Sequence, residues 1–515
     1  MKALLMHPDR DFAPEKDASV HDKALLQDLE AETVLSAMAG EDELVYLVAR
    51  TALLRGGAND VESVTYRQDA LRDSLGNPGI VRGLYSLVIE ALEMKRKHHF
   101  GIFSRYPAAV LHGAIDVLGM FMDMMARLRE VARVQSDRFR SAAFTNLFAM
   151  IRREFRDEYF AEIRTHLEEL RFDHGVLLSA GLGTGNDGRD YVLRLLRDKR
   201  PRWLRRLLGE GPQEYSFTLH PRDDAGAQIL SKLRERGINE VANALAQSAD
   251  HIQGFFEMLK TELAFHVGCI NLHDRLEAIG CRSVFPEAQA AGTRRLRFGE
   301  LYDVSLALRT GRMPVANGFD ADGKTLAVIT GANTGGKSTF LRSFGLAQAM
   351  MQSGMFVPAG SFAGELAPRV FTHFKREEDA SMKSGKLDEE LARMSGIVDA
   401  LVPDSIVLFN ESFAATNERE ASEIATQVVE ALLERRVRVF FVTHLYEFAH
   451  GCALRHAADG LFLRAERRPD GTRTFRLVEG EPLKTSYGED LYRQVFGDDA
   501  APTDLARRRI AGSGE

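Results

Sequence analysis

The stretch Leu326-Ala-Val-Ile-Thr-Gly-Ala-Asn-Thr-Gly-Gly-Lys-Ser-Thr-Phe-Leu341 decides the fold of the second half of this 515-residue chain. Its apolar start, Leu326–Ile329, is bounded by glycines and predicts a buried strand. The Walker A pattern Gly331-x-x-x-x-Gly336-Lys337-Ser338 follows, and apolar residues then recur at helical spacing. A strand, a glycine-rich loop and a helix, in this order, are the context that a phosphate-binding loop needs.

The residue types in this loop suit a nucleotide. Glycines let backbone N–H groups turn toward phosphate oxygens, and the start of the helix adds a partial positive charge. We expect Lys337 to neutralise the β- and γ-phosphates and Ser338 to offer its hydroxyl to Mg²⁺. The residues predicted to bind ATP here are Gly331, Ala332, Asn333, Thr334, Gly335, Gly336, Lys337, Ser338 and Thr339.

Length and composition set outer limits. A chain of 515 residues holds about two to four domains. The net charge of −7 does not indicate a nucleic-acid binder, so local basic patches must carry that argument. The three cysteines are scattered and odd in number, which predicts a reducing compartment. No signal peptide is recognisable and Asp116 and Asp123 interrupt the most apolar helix, so we expect a cytoplasmic protein that does not enter a membrane.

The pattern of apolar residues divides the chain. Residues 1–22 are polar and predict a loosely held arm, and helical spacing dominates residues 23–284. A small turn-rich insertion interrupts the helices at about 171–225, and the strand-rich part covers residues 285–500, followed by a frayed tail over 501–515. Short strands are predicted at Tyr215–His220, Arg294–Phe298 and Val304–Leu308.

A second apolar strand, Ile406–Phe409, ends in Asn410-Glu411. An acidic residue at the carboxyl end of a strand beside a phosphate loop is placed to handle metal and water. Glu411 is therefore the candidate that polarises an attacking water. Asn410 stands where a Walker B motif normally has Asp. It can bind a metal-bound water, but it lacks the charge that would hold Mg²⁺ firmly.

A third strand, Val437–Thr443, ends in His444. A histidine at this edge can report the γ-phosphate by hydrogen bonding, and we assign it to the catalytic set with Glu411. The alternative is that His444 has only a structural role.

Two basic clusters stand out in this acidic chain. One is the loop around Lys95, Arg96 and Lys97, which aromatic residues follow. The other surrounds the only tryptophan, Trp203, and contains Arg194, Arg197, Lys199, Arg200, Arg202, Arg205 and Arg206. Such clusters track nucleic-acid phosphates, although a solvated loop and an arginine-rich helix face paired with acidic neighbours are equally ordinary.

Together these motifs resemble the MutS family of DNA mismatch-repair ATPases, relatives of the ABC class. The similarity rests on Thr330–Thr339, Phe356–Ala359, Val442–His444 and Thr485–Gly488, with a weaker match at Tyr66–Gln68. The resemblance implies a multidomain fold, in which a mainly α-helical core or lever domain precedes an α/β P-loop ATPase domain of the ABC/MutS type. It also implies ATP and Mg²⁺ as cofactors, a homodimer, and DNA as a partner in repair or recombination.

The same resemblance adds residues to the site. Pro314–Asn317 looks like the family's adenine-side loop, which implies nucleotide contacts for Val315 and Asn317. Ser384 and Gly385 stand where the family has a segment that acts in trans on the partner's nucleotide. An ordinary polar loop is the alternative there.

Departures from the family pattern limit what can be transferred. Asn410 replaces the family's Asp, and the helical core begins near residue 25, which leaves no room for a mismatch-reading domain. Phe255-Phe-Glu257 lies on an apolar helical stripe and is interpreted as core. Two rivals remain: an ATP-driven switch that acts on a protein partner without DNA, and another ABC-type machine, whose Leu-Ser-Gly-Gly-Gln signature is absent.

Overall fold

The computed structural model describes residues 1–97, 106–173, 175–194, 216–220, 222–332, 335–376, 385–468 and 472–483. The chain forms two compact units. The first comprises Met1–Leu5, Asp9–Phe12 and Asn77–Leu263, and the second comprises Met6–Pro8, Ala13–Gly76 and Ala264–Glu515.

Helices make up most of the first half of the chain, as its apolar spacing predicts. They are α1 (Val20–Asp28), α2 (Ala31–Ala39), α3 (Glu43–Arg55), α4 (Val61–Gly76), α5 (Pro78–Lys97), α6 (Pro107–Gln135), α7 (Ala142–Glu154), α8 (Asp157–Glu169) and α9 (Asp224–Ile279). The later helices are α10 (Val304–Thr310), α11 (Lys337–Gln352), α12 (Lys386–Ala400), α13 (Glu418–Glu434) and α14 (Tyr446–Arg455).

The core of the first unit is apolar and aromatic. Phe121 of α6 stacks on Phe256 of α9 with ring centroids 5.4 Å apart, and Phe255 meets Phe155 edge-on at 6.3 Å. Both Phe255 and Phe256 are buried, which confirms that these two aromatic residues belong to the core, whereas Glu257 is exposed.

One helix, Pro107–Arg138, is long and apolar enough to cross a membrane by length and composition alone. The expectation that no stretch approaches such a span is therefore wrong on that criterion. Half of its most apolar 18-residue stretch is buried inside the protein. Its methionines Met122, Met124 and Met125 lie in the core. This burial places the methionine-rich stripe in the helix core, where Met fills irregular gaps.

Three sheets are formed by the described strands. The hairpin of β1 (Leu177–Leu182) and β2 (Gly188–Arg194) occupies the predicted insertion. A four-stranded sheet has the order β3-β7-β4-β5, from β3 (Glu287–Gln289), β4 (Leu296–Leu301), β5 (Asn317–Asp320) and β7 (Ser361–Glu365). A six-stranded sheet has the order β12-β11-β6-β10-β9-β8, from β6 (Leu326–Thr330), β8 (Val370–Phe374), β9 (Ile406–Asn410), β10 (Arg438–Val442), β11 (Gly460–Arg467) and β12 (Arg473–Glu479).

The six-stranded sheet is parallel except for β12, which runs antiparallel to β11. Parallel strands need cover on both faces. Helix α11 contributes to one face, where Phe344 stacks on Phe440 with centroids 4.2 Å apart. On the other side, Phe441 and Val328 share an apolar cluster with residues of α12, α13 and α14, such as Val429.

The N-terminal residues are not the loosely held arm that their polarity predicts. Leu5 is fully buried. The Glu262 carboxylate accepts the backbone N–H groups of Leu5 and of Phe12, the latter at 3.1 Å. A buried carboxylate that collects backbone donors orders this segment, together with the burial of Ala3 and Met6.

Two of the three predicted strands are wrong. Val304–Leu308 lies in α10, because Asp303 caps the Leu306 N–H at 3.0 Å and Gly311 ends the helix in the left-handed region, with φ 64°. Residues 216–220 form no regular element. The prediction at Arg294–Phe298 is confirmed by β4.

The predicted boundary near residue 285 does not coincide with the division into units. Residues 13–76 pack with the strand-rich half. Arg67, 1% exposed, donates to the carbonyl of Ser353 at 2.8 Å, just after α11. A Cβ on Gly57 would stand 2.3 Å from the Pro368 carbonyl oxygen, so this close approach requires glycine.

Candidate nucleotide site

The glycine-rich loop leaves β6 and enters α11, the order that its sequence predicts. Gly331 and Gly336 have φ of 121° and 91°, values that residues with a side chain rarely adopt. A Cβ on either Gly331 or Gly335 would stand 2.8 Å from the Cβ of Ala465 on β11. The loop is therefore closely backed by β11, and larger residues do not fit at these two glycines.

Lys337 is the first residue of α11 and is 3% exposed. Its ammonium group donates to the carbonyls of Gly331 at 2.8 Å and Ala332 at 3.0 Å. Burial lowers the pKa of Lys337, and the negative charge of Glu411 acts against that shift. The lysine thus places a cation at the loop. When a nucleotide binds, phosphate oxygens can replace the two carbonyl oxygens as acceptors of its hydrogen bonds.

Two predicted metal-site residues meet directly. The Ser338 hydroxyl donates to the Asn410 side-chain oxygen at 2.8 Å, although the residues are 72 positions apart. Thr339 follows in the first turn of α11. This pair supplies two neutral oxygens suited to Mg²⁺ or to its bound waters, and the negative charge beside them has to come from Glu411 or from the phosphates.

Glu411 and His444 lie at the same edge of the sheet. The Glu411 N–H donates to the Val442 carbonyl at 2.9 Å, and the Thr443 N–H donates to the Ile329 carbonyl at 3.0 Å. Strands β6, β9 and β10 therefore end side by side, and Glu411 and His444 follow two of these ends. His444 is exposed and Glu411 is half-buried. Carboxyl ends of parallel strands are where open α/β sheets bind ligands.

The predicted adenine-side loop is tied to the last hairpin. The Asn317 side-chain oxygen accepts the backbone N–H of Leu477 on β12 at 2.8 Å, and Val315 is 42% exposed. Asn317 is therefore occupied in joining β5 to β12, while Val315 presents an apolar surface.

The sequence analysis missed Phe475. It has φ 59°, which is rare for an aromatic residue, and its side chain is 48% exposed. Its carbonyl oxygen would stand 3.1 Å from a Cβ on Gly336. The only signal in the sequence is an aromatic residue between polar ones, and the irregular pairing of β11 with β12 that places it here cannot be deduced from spacing.

Several predicted site residues lie outside the described residues. Gly385 is exposed and directly precedes α12. The predicted residues without a described position are Asn333, Thr334, Ser384, Arg197, Lys199, Arg200, Arg202, Arg205, Arg206 and the motif Thr485–Gly488.

Lys95 does not fit its predicted role in DNA binding. It is 5% exposed and its ammonium group lies 3.3 Å from the Asp250 carboxylate and next to Gln253. A lysine held in this way is not free to meet a phosphate. Arg96 and Lys97 are exposed at the end of α5, and Arg194 is exposed at the end of β2.

A cavity of about 600 Å³ lies away from this loop, between the end of α9 and β4. His273, Glu277 and Cys281 line it. The side chains of His273, Asp274 and Glu277 bring ligand atoms within 4.8 Å of one another, but both acids are exposed. We assign this cavity no role, and the nucleotide site rests on the loop and the strand ends.

Comparisons with known proteins place these features in a family. The model of the MutS2 N-terminal domain matches residues 59–279, and the model of MutS domain V matches residues 327–496. Endonuclease MutS2 of Thermus thermophilus is 32% identical over 247 residues, which are 46% of this chain and 32% of that protein. The DNA mismatch repair protein MutS of Syntrophomonas wolfei is 34% identical over 164 residues, 32% of this chain and 19% of that protein.

Human MutS protein homolog 4 is 28% identical over 183 residues, 34% of this chain and 20% of that protein. The chain thus spans between a fifth and a third of the length of these relatives.

Proposed function

The chain belongs to the MutS family, and from this premise we propose that it is an ATP-dependent DNA-binding protein acting in DNA repair or recombination. Its strand-rich part is a P-loop ATPase domain of the ABC/MutS type, which hydrolyses ATP to ADP and phosphate in the cytoplasm. Hydrolysis changes the conformation of a homodimer through the helical lever.

One observation carries this proposal. The Ser338–Asn410 contact of 2.8 Å joins the start of the loop helix to the end of β9, the strand that Glu411 follows. A phosphate-binding lysine, a metal-binding hydroxyl and a carboxylate are thereby gathered at one sheet edge. Residues that act on Mg²⁺, phosphate and water need this proximity.

The base of the nucleotide has a matching surface. Val315 and Phe475 are exposed apolar side chains on segments that Asn317 and Leu477 connect. An aromatic face beside an aliphatic side chain suits adenine, since stacking adds to simple area burial. We therefore place the adenine between the loop before β5 and the bulge of β12.

The dimer places a second set of residues at the phosphates. Gly385 is exposed at the N-terminus of α12, a helix of fifteen residues whose free N–H groups attract anions. In the proposed dimer this end, with Ser384, reaches the γ-phosphate of the partner, so neither subunit holds a complete site.

The test is nucleotide binding and ATPase activity measured together with DNA binding on the purified chain. Duplex, mismatched, branched and single-stranded DNA are compared over a salt series. ATP turnover with DNA binding that falls steeply with salt supports the proposal. ATP binding without any DNA affinity favours the rival, a switch that acts on a protein partner.

Restoring the missing carboxylate should change the Mg²⁺ requirement. Asn410→Asp adds a negative charge next to Ser338, so we expect the Mg²⁺ concentration for half-maximal ATPase to fall by roughly tenfold, or about 1.4 kcal/mol. Asn417→Asp is the matched control, because Asp caps α13 as well as Asn does. An unchanged Mg²⁺ titration in Asn410→Asp would mean that Glu411 already supplies the charge.

DNA binding should not distinguish a single G·T mismatch from its matched duplex. Within the two predicted basic clusters, Arg96, Lys97 and Arg194 are described and exposed, and they suit backbone phosphates, which carry no pairing information. Charge reversal at Arg96 and Lys97 should weaken all DNA ligands alike, whereas Lys95→Gln should mainly lower thermal stability. A mismatch preference well above about tenfold at fixed salt would contradict this prediction.

A further inference from the structure

The turn that carries Glu411 adopts an unusual backbone. Glu411 and Phe413 have φ of 52° and 64°, the left-handed region that non-glycine residues rarely occupy. Such residues persist only where their surroundings hold them, and they concentrate at functional sites. Between them Ser412 is 1% exposed, and Phe413 is fully buried. Something other than solvent must therefore fix this turn.

The fixing group is a buried histidine on the adjacent strand. His373 of β8 is 0% exposed, and its Nδ1 lies 2.8 Å from the Ser412 hydroxyl oxygen. Phe413 stacks on the imidazole at 5.3 Å, and Phe409 contacts it at 5.7 Å. Phe409, Ser412 and Phe413 thus all contact one imidazole, which lies beside the turn of Glu411.

The other nitrogen reaches helix α12. His373 Nε2 lies 3.0 Å from the backbone carbonyl of Glu390, which can only accept a hydrogen bond. Burial, reinforced by the positive charge of Arg393, lowers the pKa of His373 to about 4, so the ring is neutral at pH 7. A neutral ring that donates from Nε2 accepts at Nδ1. The Ser412 hydroxyl has one proton, which it shares between Nδ1 and the backbone carbonyl of His373.

The imidazole therefore spans two parts of the site. On one side is the turn of Glu411, and on the other is α12, whose first turn follows the exposed Gly385. The contact on α12 is to a backbone atom in the second turn, which the helix itself holds in place. We propose that His373 is a positioning residue, which fixes the Glu411 carboxylate against the attacking water by anchoring Ser412 to α12.

This inference rests on the proposed ATPase function, and the variants separate the two. His373→Asn keeps a polar group facing Ser412 and loses the one facing α12. His373→Gln keeps a polar group facing α12 and loses the one facing Ser412. Ser412→Ala removes the contact to the imidazole from the other side, together with the bond to the His373 carbonyl, and changes the volume less. ATP affinity, the single-turnover hydrolysis rate and thermal stability are measured for each variant in the full chain.

We expect hydrolysis to slow by about 10- to 100-fold in His373→Gln and in Ser412→Ala, because a shift of about 1 Å in a catalytic group has effects of this size. ATP affinity should stay within about twofold of wild type, since no phosphate contact changes. His373→Asn keeps the contact to Ser412 but not the contact to α12, so its hydrolysis should slow as well, because the anchor needs both ends. The double variant His373→Gln with Ser412→Ala should be no slower than Ser412→Ala alone, because the serine substitution already removes the shared contact.

His21→Asn is the matched control, because His21 also packs against β8, with its ring 5.4 Å from that of Phe371. Its hydrolysis rate should equal that of the wild type. Normal hydrolysis in Ser412→Ala would overturn the positioning role. A wild-type protein that does not bind ATP, or binds it without hydrolysing it, would instead overturn the proposed function.

Discussion

Lys337→Ala is expected to weaken ATP binding by roughly 30- to 150-fold while the protein stays folded. The lysine contributes a charge-assisted contact to the phosphates, worth about 2–3 kcal/mol. Its present partners are two carbonyls of its own loop, which ATP phosphates replace. Alanine is a good helix former at the start of α11, so the helix should persist. Titration with a fluorescent ATP analogue, paired with thermal unfolding, measures both effects.

The matched control for this experiment is Lys232→Ala, which removes an exposed lysine from α9. Its ATP affinity should equal that of the wild type, so that any loss in Lys337→Ala belongs to the site. Wild-type affinity in Lys337→Ala would refute a nucleotide site at this loop. Loss of the unfolding transition would show that the lysine holds the loop together and does not bind phosphate.

Glu411→Gln is expected to abolish most hydrolysis and to leave ATP bound. The substitution keeps the size of the side chain and its backbone contact to Val442, and it removes only the carboxylate that takes the proton from water. General-base groups contribute about 10²–10⁴-fold to the rate, so the single-turnover rate should fall by that order. The substitution also removes the negative charge beside Lys337, and the resulting fold-change in ATP affinity should be smaller than the fold-change in the hydrolysis rate.

Glu423→Gln makes the same chemical change at an exposed position on α13 and should hydrolyse ATP normally. A Glu411→Gln protein with more than about a tenth of the wild-type rate would show that another group activates the water. His444, which follows the next strand, would then be the first candidate to test.

Much of the nucleotide loop could be predicted from sequence because its constraints are local. The strand, the glycines and the apolar helix lie within sixteen consecutive residues, and each has a period or a steric reason of its own. The meeting of Ser338 with Asn410 was also foreseeable, because strands ending in polar residues align their carboxyl ends in a parallel sheet.

Other features depend on distant packing and left no local trace. The burial of Leu5 depends on Glu262, more than 250 positions away, and the burial of Lys95 depends on Asp250. The helix α10 has a strand-like apolar run, and only its caps at Asp303 and Gly311 decide its structure. Short apolar segments are ambiguous for this reason, and boundary residues carry the missing information.

The position of β6 within its sheet has a consequence for how the chain is made. Its neighbours β10 and β11 begin 112 and 134 residues later than its own first residue, Leu326 (438 − 326 and 460 − 326). Until β10 and β11 have been synthesised, β6 lacks its pairing partners and the glycine loop lacks its contact with Ala465. Pairings so far apart in sequence form slowly. The capacity to hold a nucleotide therefore arises late in synthesis, and the exposed apolar strand must be protected from aggregation in the meantime.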